Sequence, residues 1–216
     1  MKFTVKQMHV FFEPKSVAVV GASRKINKAG HVIFKNFVEN KRRGVFRGEL
    51  YPINPNEKSI LGFKCYPSLT NVVGGVELVV IVVPAHIVPS IMRDAAAKGV
   101  KAVVIITAGF SEIGKKELEQ EVAGIARKAG IRVLGPNCLG VFDSRTGVDM
   151  LFLPETKVLS TGDMVVATPR PMTGEISVVT QSGAFGVSAL DYLAGCHIGV
   201  SKFVSFGNKC DVDEPE

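Results

Sequence analysis

Two strand-to-helix turns in the sequence have the residue types that bind phosphate groups. The first turn consists of Gly21, Ala22 and Ser23, and the second, at residues 181–183, reads Gln-Ser-Gly. Glycine allows the backbone to approach an anion closely, and the helix that follows offers free N–H groups and a partial positive charge. Ser182 is also a preferred helix N-cap, so the second turn has a purely structural interpretation as well. Both turns are candidate anion-binding sites.

The first turn lacks the full dinucleotide-binding fingerprint. Gly21 has no glycine two residues later, and Asn54 and Pro55 stand where NAD-binding proteins have an acidic residue that binds the ribose hydroxyls. Lys25 and Lys28 lie nearby in the sequence, which favours a ligand with additional phosphate. NADP and coenzyme A both fit this pattern. A glycine that serves packing alone is the structural alternative.

Four further loops follow predicted strands and can face the same crevice. Loops at the carboxyl ends of parallel strands lie along one edge of a sheet and form ligand pockets there. Each loop by itself is a weak signal, because Pro and Asn are common in turns. Together they predict a pocket built from the segments Ile53-Asn54-Pro55-Asn56, Val82-Val83-Pro84-Ala85, Thr107-Ala108-Gly109-Phe110-Ser111-Glu112 and Gly135-Pro136-Asn137-Cys138-Leu139-Gly140.

The elements that carry these loops have the pattern of a doubly wound α/β domain. Continuous apolar, β-branched runs indicate strands that are buried on both faces, and amphipathic segments between them indicate crossover helices. Gly99 and Gly130 stand where helix C-caps are expected. The predicted strands are residues 16–20, 49–53, 78–83, 102–107 and 132–134, and the predicted helices are residues 29–41, 87–98 and 115–128. The first domain is therefore expected at residues 1–142.

A second unit follows the first domain. Residues 143–174 have the Pro- and Thr-punctuated character of a connector, with a small hairpin or edge strand near residues 163–167. Residues 175–216 then begin a new strand–helix–strand pattern, with strands at 175–180 and 201–206 around a helix at 184–194. A single βαβ unit of this size buries too little surface to fold alone. We therefore expect it to be an incomplete domain, part of a larger chain or complex.

Composition and charge limit the partners. The chain has 216 residues, 46% of them apolar and 21% charged, with a formal net charge of +6 and a pI near 9.2. This is the balance of a globular protein that attracts anions. The basic residues concentrate between positions 24 and 47 around a turn rather than in an aromatic-interleaved stripe. A phosphorylated small molecule is favoured over nucleic acid, and a merely solvated helix face is the alternative.

The sequence also predicts the compartment. No apolar stretch approaches the roughly 20 residues that span a bilayer, and residues 1–10 contain no signal-peptide core. Cys65, Cys138, Cys196 and Cys210 form no CxxC pair, which argues against both a disulfide framework and a metal site. We expect a cytoplasmic protein with free thiols and no membrane partner.

The ordered series VGAS, INPN, VPA, TAGFSE, GPNCLG and TQSGAFG resembles the alpha subunit or alpha portion of ADP-forming acetyl-CoA synthetase, in the superfamily of succinyl-CoA synthetase. The resemblance covers nearly the whole chain. It implies a Rossmann-like CoA-binding domain followed by the start of a second, flavodoxin-like α/β domain. It also implies the reaction of an acid, CoA and ATP to acyl-CoA, ADP and phosphate, through an acyl phosphate and a phosphohistidine.

The resemblance assigns roles to individual residues. The nucleotide phosphates of CoA are expected at the first turn with a nearby basic side chain, that is, at Gly21, Ala22, Ser23, Arg24, Lys25 and Lys28. The adenine and ribose are expected at Ile53, Asn54, Pro55, Val83, Pro84 and Ala85. The pantetheine arm is expected along Thr107, Ala108, Gly109, Asn137 and Cys138. The phosphate transferred in the reaction is expected at Gln181, Ser182 and Gly183.

Two side-chain types that could react directly are present in the chain. Cys138 could be an acylated nucleophile, but no histidine partner is evident, so a packed small hydrophobic residue is the favoured interpretation. The four histidines, His9, His31, His86 and His197, match no phosphohistidine position of the family. We therefore expect no catalytic residue within this chain.

The resemblance also implies partners and leaves alternatives open. ATP or ADP and Mg²⁺ are expected to bind only through an ATP-grasp beta subunit or domain. One alternative is a stand-alone, non-catalytic CoA-binding module. A second is an NADP-binding oxidoreductase domain, which is disfavoured because no hydride-transfer site follows the first turn.

Overall fold

Five short apolar segments form the central parallel sheet, as the sequence predicts. The computed structural model describes residues 8–213. Residues 1–7 and 214–216 lie outside this range. They include the predicted outer limits of the two domains and the first residues of the segment 1–10, in which the sequence predicts no signal peptide. The strands are β1 (Ser16–Val20), β2 (Glu49–Ile53), a hairpin of β3 (Ser59–Ile60) and β4 (Phe63–Lys64), then β5 (Leu78–Ile81), β6 (Ala102–Ile105) and β7 (Arg132–Leu134). The sheet order is β2-β1-β5-β6-β7, with all neighbours parallel.

Three amphipathic helices cover the two faces of this sheet and confirm the predicted doubly wound fold. They are α1 (Ala29–Arg42), α2 (Val88–Lys98) and α3 (Lys116–Ala129). Phe34 and Phe37 of α1 belong to one apolar core, whereas Met92 of α2 and Val122 of α3 belong to the other. Both predicted C-caps have left-handed backbone, with φ of 72° at Gly99 and 68° at Gly130. No helix within residues 8–213 is both long and apolar enough to cross a membrane.

The C-terminal unit forms a second sheet. Its strands are β8 (Gly140–Asp143), β9 (Val148–Asp149), β12 (Thr173–Thr180) and β13 (Val200–Ser205), in the order β12-β13-β8-β9. The helix α4 (Gly183–Gly195) connects β12 to the parallel strand β13, which confirms the predicted βαβ unit. The sequence did not predict that β13 also pairs antiparallel with β8, opposite the end of GPNCLG. The unit is therefore docked to residues that precede the connector.

The connector contains a hairpin of β10 (Thr156–Val158) and β11 (Met164–Val166), close to the position predicted.

Two ion pairs join segments that flank the C-terminal sheet to other parts of the chain. Arg170 Nε lies 2.8 Å from Asp149 Oδ2, and Arg132 Nε lies 2.8 Å from Asp211 Oδ2. The second pair ties the segment after β13 to the last strand of the first sheet. The division into three segments at residues 142 and 174 stays a prediction.

Candidate functional site

The first turn owes its shape to close backbone contacts. Gly21 has φ of 93°, and its N–H donates to the carbonyl oxygen of Ile53 at 3.0 Å. A Cβ at this position would lie 2.3 Å from the carbonyl oxygen of Val82. A Cβ at Gly30, in the first turn of α1, would lie 2.0 Å from the carbonyl oxygen of Gly21. Glycine is therefore required at both positions, and the turn lies directly against the beginning of the helix.

Two side chains hold the carbonyl groups of this turn. Asn54 donates from Nδ2 to the carbonyl oxygen of Ala22 at 2.8 Å. His31, which is 7% exposed, donates from Nδ1 to the carbonyl oxygen of Ser23 at 2.8 Å. The N–H of Lys25 donates to Ser23 Oγ at 3.0 Å. Because the carbonyl oxygens already have donors, the turn is fixed in one conformation. The structure places His31 behind the turn, a supporting position that the sequence did not reveal.

The predicted cations surround the turn at the surface. Arg24, Lys25 and Lys28 are all exposed. Arg24 Nη1 lies 3.7 Å from Glu57 Oε2, an exposed contact that holds the arginine weakly. Neither lysine forms an ion pair with another residue between positions 8 and 213. The charges near Gly21 are thus available to an anionic ligand.

The loops after the central strands are linked to one another by hydrogen bonds. Thr107 donates from Oγ1 to the carbonyl oxygen of Val83 at 2.7 Å, and the N–H of Asn137 donates to the carbonyl oxygen of Thr107 at 3.0 Å. The Cβ of Ala85 would lie 3.2 Å from a Cβ at Gly109. Pro55 and Pro84 are exposed at the rim. The predicted loops therefore form a continuous edge.

A cavity of about 680 Å³ opens at this edge, between the first sheet and the start of α4. Seven predicted site residues line it, namely Thr107, Ala108, Asn137, Cys138, Gln181, Ser182 and Gly183. The structure thus brings the residues predicted for the pantetheine arm and those predicted for the transferred phosphate together at one cavity. The lining does not include the residues predicted for the nucleotide part of CoA, namely Gly21, Ala22, Ser23, Arg24, Lys25, Lys28, Ile53, Asn54, Pro55, Val83, Pro84 and Ala85, and it does not include Gly109.

Several apolar residues of the cavity were not predicted as site residues. Phe152 and Leu153 come from the connector, and Val187 comes from the second turn of α4. Leu139 lies within the predicted pocket segment GPNCLG, but the sequence assigned no role to its side chain. No spacing rule connects residue 152 to the loops after β6 and β7, so only the fold could bring them together. Ala29 and Val82 line the cavity on the side of the first turn.

Cys138 lies in the lining of the cavity and is buried. It is 4% exposed, and Sγ lies 3.3 Å from the carbonyl oxygen of Ile105. Burial raises the pKa of the Cys138 thiol to about 12. The group is therefore a neutral thiol at neutral pH, which supports a packed residue over an acylated nucleophile.

The second turn forms a capped helix N-terminus at the cavity. Ser182 Oγ accepts a hydrogen bond from the N–H of Phe185 at 3.3 Å, so Ser182 is the N-cap of α4. Gln181 donates from Nε2 to the carbonyl oxygen of Gly207 at 3.1 Å. The remaining N–H groups of the first helical turn have no partner within the helix, and they carry its partial positive charge. An anion in the cavity can accept hydrogen bonds from them.

Asn208, just after β13, joins the site loops from the other side. Its Nδ2 lies 2.6 Å from Glu112 Oε2 and 2.8 Å from Glu119 Oε2, and its Oδ1 accepts from Asn137 Nδ2 at 3.3 Å. Burial raises the pKa of Glu112, but hydrogen bonds from the Gly109 N–H and from Asn208 outweigh it, so the pKa is lowered overall. Asn208 was not predicted from the sequence. Glu112 belongs to one of the loops predicted to form the pocket, but the sequence assigned no role to its side chain.

Two known families account for most of the chain. The CoA binding domain family corresponds to residues 15–143, and the family described as succinyl-CoA ligase like flavodoxin domain corresponds to residues 173–216. The first match contains the first turn and all the loops after the central strands. The second contains β12, α4 and β13.

Individual relatives and solved structures agree with the two families. The ADP-forming acetate–CoA ligase of Methanocaldococcus jannaschii is 42% identical over 203 residues, 94% of this chain and 26% of that protein. The alpha subunit of ADP-forming acetate–CoA ligase II of Pyrococcus furiosus is 37% identical, over 94% of this chain and 40% of the subunit. The structure of acetyl-coenzyme A synthetase 1 of Ca. Korarchaeum cryptofilum superposes with a TM-score of 0.83 at 36% identity, over 96% of this chain and 41% of that one. The chain thus spans less than half the length of these relatives.

Proposed function

The chain belongs to the CoA binding domain family, and on that premise we propose that it binds coenzyme A as part of an ADP-forming acyl-CoA synthetase. One observation carries the proposal. The loops at the carboxyl ends of four parallel strands lead from the first turn into a cavity that ends at the N-terminus of α4. Such an edge suits an elongated ligand with phosphates at one end and a reactive group at the other.

CoA is proposed to lie along this edge in one direction. Its phosphates bind the N–H groups near Gly21 and the ammonium groups of Lys25 and Lys28, because this turn combines a helix N-terminus with unpaired cations. The adenine and ribose lie against the segments 53–55 and 83–85. The pantetheine arm passes Thr107 and enters the 680 Å³ cavity, where the thiol reaches the start of α4.

The start of α4 is proposed to stabilise a phosphoryl group. In the overall reaction, the sulfur of CoA forms a bond to the acyl carbon of an acyl phosphate while the bond from that carbon to the phosphate oxygen breaks, and phosphate leaves. The free N–H groups that follow Ser182 can stabilise the negative charge on the phosphate oxygens.

The rest of the reaction is proposed to take place on other parts of a longer protein or complex. His31 donates to the Ser23 carbonyl oxygen, and no histidine between residues 8 and 213 lines the cavity. We therefore place the phosphohistidine outside this chain, and the sites for ATP or ADP and Mg²⁺ on an ATP-grasp subunit or domain. The proposed division is a CoA-binding domain at 1–142, a connector at 143–174 and the first βαβ of a flavodoxin-like domain at 175–216. The family boundaries at residues 143 and 173 support it.

Calorimetric titration of the full chain with CoA, dephospho-CoA, NADP and ADP tests the proposal. We expect CoA to bind with a 1:1 stoichiometry and to bind more tightly than dephospho-CoA. Lys28→Gln is expected to weaken CoA binding by about tenfold, because it removes one charge-assisted hydrogen bond. Lys128→Gln, a matched change at an exposed lysine of α3, is expected to have no effect.

Two results would contradict the proposal. Tight NADP binding without CoA binding would assign the domain to the oxidoreductase class. Equal effects of Lys28→Gln and Lys128→Gln would place the CoA phosphates elsewhere.

A further inference from the structure

The 680 Å³ cavity has an apolar side to which the proposed path of CoA assigns no role. Phe152 and Leu153 of the connector line this side together with Val187 of α4. We call these three residues the connector wall. The pantetheine arm is proposed to enter past Thr107, on the side of the loops after the central strands. A cavity of this volume lies within the range of small-molecule sites, roughly 300–1,000 Å³, so a group beyond the end of the arm has room to bind.

Hydrogen bonds and packing hold the connector wall in place. Arg170 donates from Nη2 to the carbonyl oxygen of Leu153 at 3.0 Å. Asn36 of α1 donates from Nδ2 to the carbonyl oxygen of Leu151 at 2.9 Å. Phe152 lies between these two anchored carbonyl groups, and it packs against both the core that contains α1 and the core of the second sheet. The wall is therefore already formed in the structure.

Val187 brings the wall close to the start of α4. It follows Gly183 by four residues, so the two lie on the same face of the helix, about 6 Å apart along its axis. Helix side chains lean towards the N-terminus, so Val187 covers the turn that begins at Gly183. The N–H groups of Gly183 and Ala184 have no acceptor within the helix. An acyl phosphate whose phosphate group binds these N–H groups has its acyl chain within reach of Val187.

The lining of the cavity carries no charged side chain between residues 8 and 213. Its polar side chains are neutral, and Thr107, Asn137 and Gln181 each donate a hydrogen bond to another part of the protein. A carboxylate at the far end of an acyl chain would find no cation here, so the hydration that it loses would not be replaced by an ion pair. The lining therefore favours an uncharged, apolar acyl chain.

The position of the connector wall also favours a particular length of chain. An acetyl group has one methyl carbon, which lies about 1.5 Å from its carbonyl carbon. This is much shorter than one turn of helix, so an acetyl group bound at the start of α4 leaves most of the wall uncovered. Each further methylene group that is buried against the wall strengthens binding by up to about fourfold.

We propose that the connector wall binds the acyl chain of the substrate, and that this substrate is a monocarboxylic acid with an apolar chain of about four or five carbons rather than acetate or a dicarboxylic acid. This rests on the proposed function. The carbonyl carbon of the acyl group lies at the start of α4, and the chain extends from there along Val187 to Phe152. Phe152 and Val187 are thus specificity-determining residues.

Calorimetric titration of the full chain with CoA, acetyl-CoA, butyryl-CoA and succinyl-CoA tests this assignment, because the product carries the acyl chain in the same cavity. Butyryl-CoA and succinyl-CoA have the same four-carbon chain and differ in the terminal carboxylate. We expect butyryl-CoA to bind about tenfold more tightly than acetyl-CoA, because it buries two more methylene groups. We expect it to bind at least tenfold more tightly than succinyl-CoA.

Variants of the wall test the two named residues. Val187→Thr keeps the size of the side chain but adds a hydroxyl group, and it is expected to lower the preference for butyryl-CoA over CoA severalfold. Phe152→Ala is expected to lower the same preference about tenfold. Val187→Lys introduces a cation and is expected to raise the affinity for succinyl-CoA relative to CoA at least tenfold, a gain that lost packing cannot produce. Val73→Thr, at an 80% exposed valine outside the cavity, is the matched control and is expected to change neither ratio.

The outcomes distinguish this assignment from the CoA site itself. If CoA binds but acetyl-CoA, butyryl-CoA and succinyl-CoA bind with equal affinity, the acyl chain does not lie against the connector wall, and the CoA site stands. Equal behaviour of Val187→Thr and Val73→Thr leads to the same conclusion, even if Phe152→Ala fails to fold. If none of the four ligands binds, both the CoA site and the acyl site are contradicted.

Discussion

Asn208 donates a hydrogen bond from Nδ2 to Glu112 Oε2 at 2.6 Å, and so joins the end of β13 to the loop after β6. The two residues are 96 positions apart in sequence. Glu112 in turn accepts hydrogen bonds from the N–H groups of Gly109 and Phe110, in the loop proposed to line the pantetheine path. The amide of Asn208 therefore links the C-terminal unit to the loop after β6, which is proposed to line the pantetheine path.

Replacement of Asn208 tests this connection. Asn208→Ala leaves the carboxylates of Glu112 and Glu119 without their amide donor, and we expect the free energy of unfolding to fall by about 1–3 kcal/mol. Urea denaturation followed by circular dichroism measures it. Gln120→Ala, at an exposed amide of α3, is the control and is expected to change the stability by less than about 0.5 kcal/mol. Similar effects of the two changes would show that the hydrogen bonds of Asn208 contribute nothing.

The lowered pKa of Glu112 predicts a dependence of stability on pH. The carboxyl group has a lower pKa in the folded than in the unfolded protein, because the Gly109 N–H and Asn208 outweigh the effect of burial. The carboxyl group stabilises the folded protein at pH values above its pKa in the unfolded chain, which is roughly 4.3. This contribution is lost as the pH falls through the pKa of the group in the folded protein. Glu112→Gln should flatten the loss of stability in acid, and Glu117→Gln, at an exposed position of α3, should not. Denaturation midpoints measured from neutral to acidic pH compare them.

The reactivity of two cysteines should differ strongly. Burial raises the pKa of Cys138 to about 12, whereas Cys196 is exposed. Because the thiolate is the reactive form, iodoacetamide at neutral pH is expected to alkylate Cys196 in the native protein and to leave Cys138 unmodified. Peptide mass spectrometry after a short exposure measures both, with urea-unfolded protein as the positive control. Rapid modification of native Cys138 would revive its interpretation as a nucleophile.

The ion pair between Arg170 and Asp149 should be essential to stability. Asp149 is 5% exposed, and Arg170→Met leaves its carboxylate buried without a cationic partner, at an expected cost of about 3–5 kcal/mol. Arg145→Met removes a pair of the same kind at the surface, where Glu175 is 90% exposed, and should cost about 1 kcal/mol or less. Chemical denaturation of the two variants provides a matched comparison. Equal costs would mean that burial does not set the strength of the Arg170 pair.

Alanine substitutions at Gly21 and Gly62 distinguish the cost of a positive φ from the cost of a steric clash. Both have positive φ, 93° and 90°, but a Cβ at Gly62 meets no atom within 4 Å, whereas a Cβ at Gly21 would lie 2.3 Å from the Val82 carbonyl oxygen. We expect Gly62→Ala to cost about 1 kcal/mol and Gly21→Ala to cost more and to abolish CoA binding. Thermal unfolding and CoA titration of the two variants measure these effects. Retained CoA affinity in Gly21→Ala would remove this turn from the proposed site.

The sequence determined the central sheet of this protein, because the relevant signals are local. Continuous β-branched runs such as residues 16–20 form buried strands, amphipathic segments form the helices between them, and Gly99 and Gly130 end two of those helices. Parallel strands with helical crossovers also put every strand-end loop on one edge. The general position of the candidate site therefore followed from the order of its motifs.

Only the tertiary structure decided how the two sheets meet. The pairing of β8 with β13, the entry of Phe152 into the cavity and the contacts of Asn208 and His31 all join segments whose spacing obeys no short-range rule. Burial, too, is a property of the fold, and it makes Cys138 a neutral thiol. Neighbouring residues in the chain specify helices, strands and turns, whereas long-range packing determines which distant side chains share a cavity and what charge they carry.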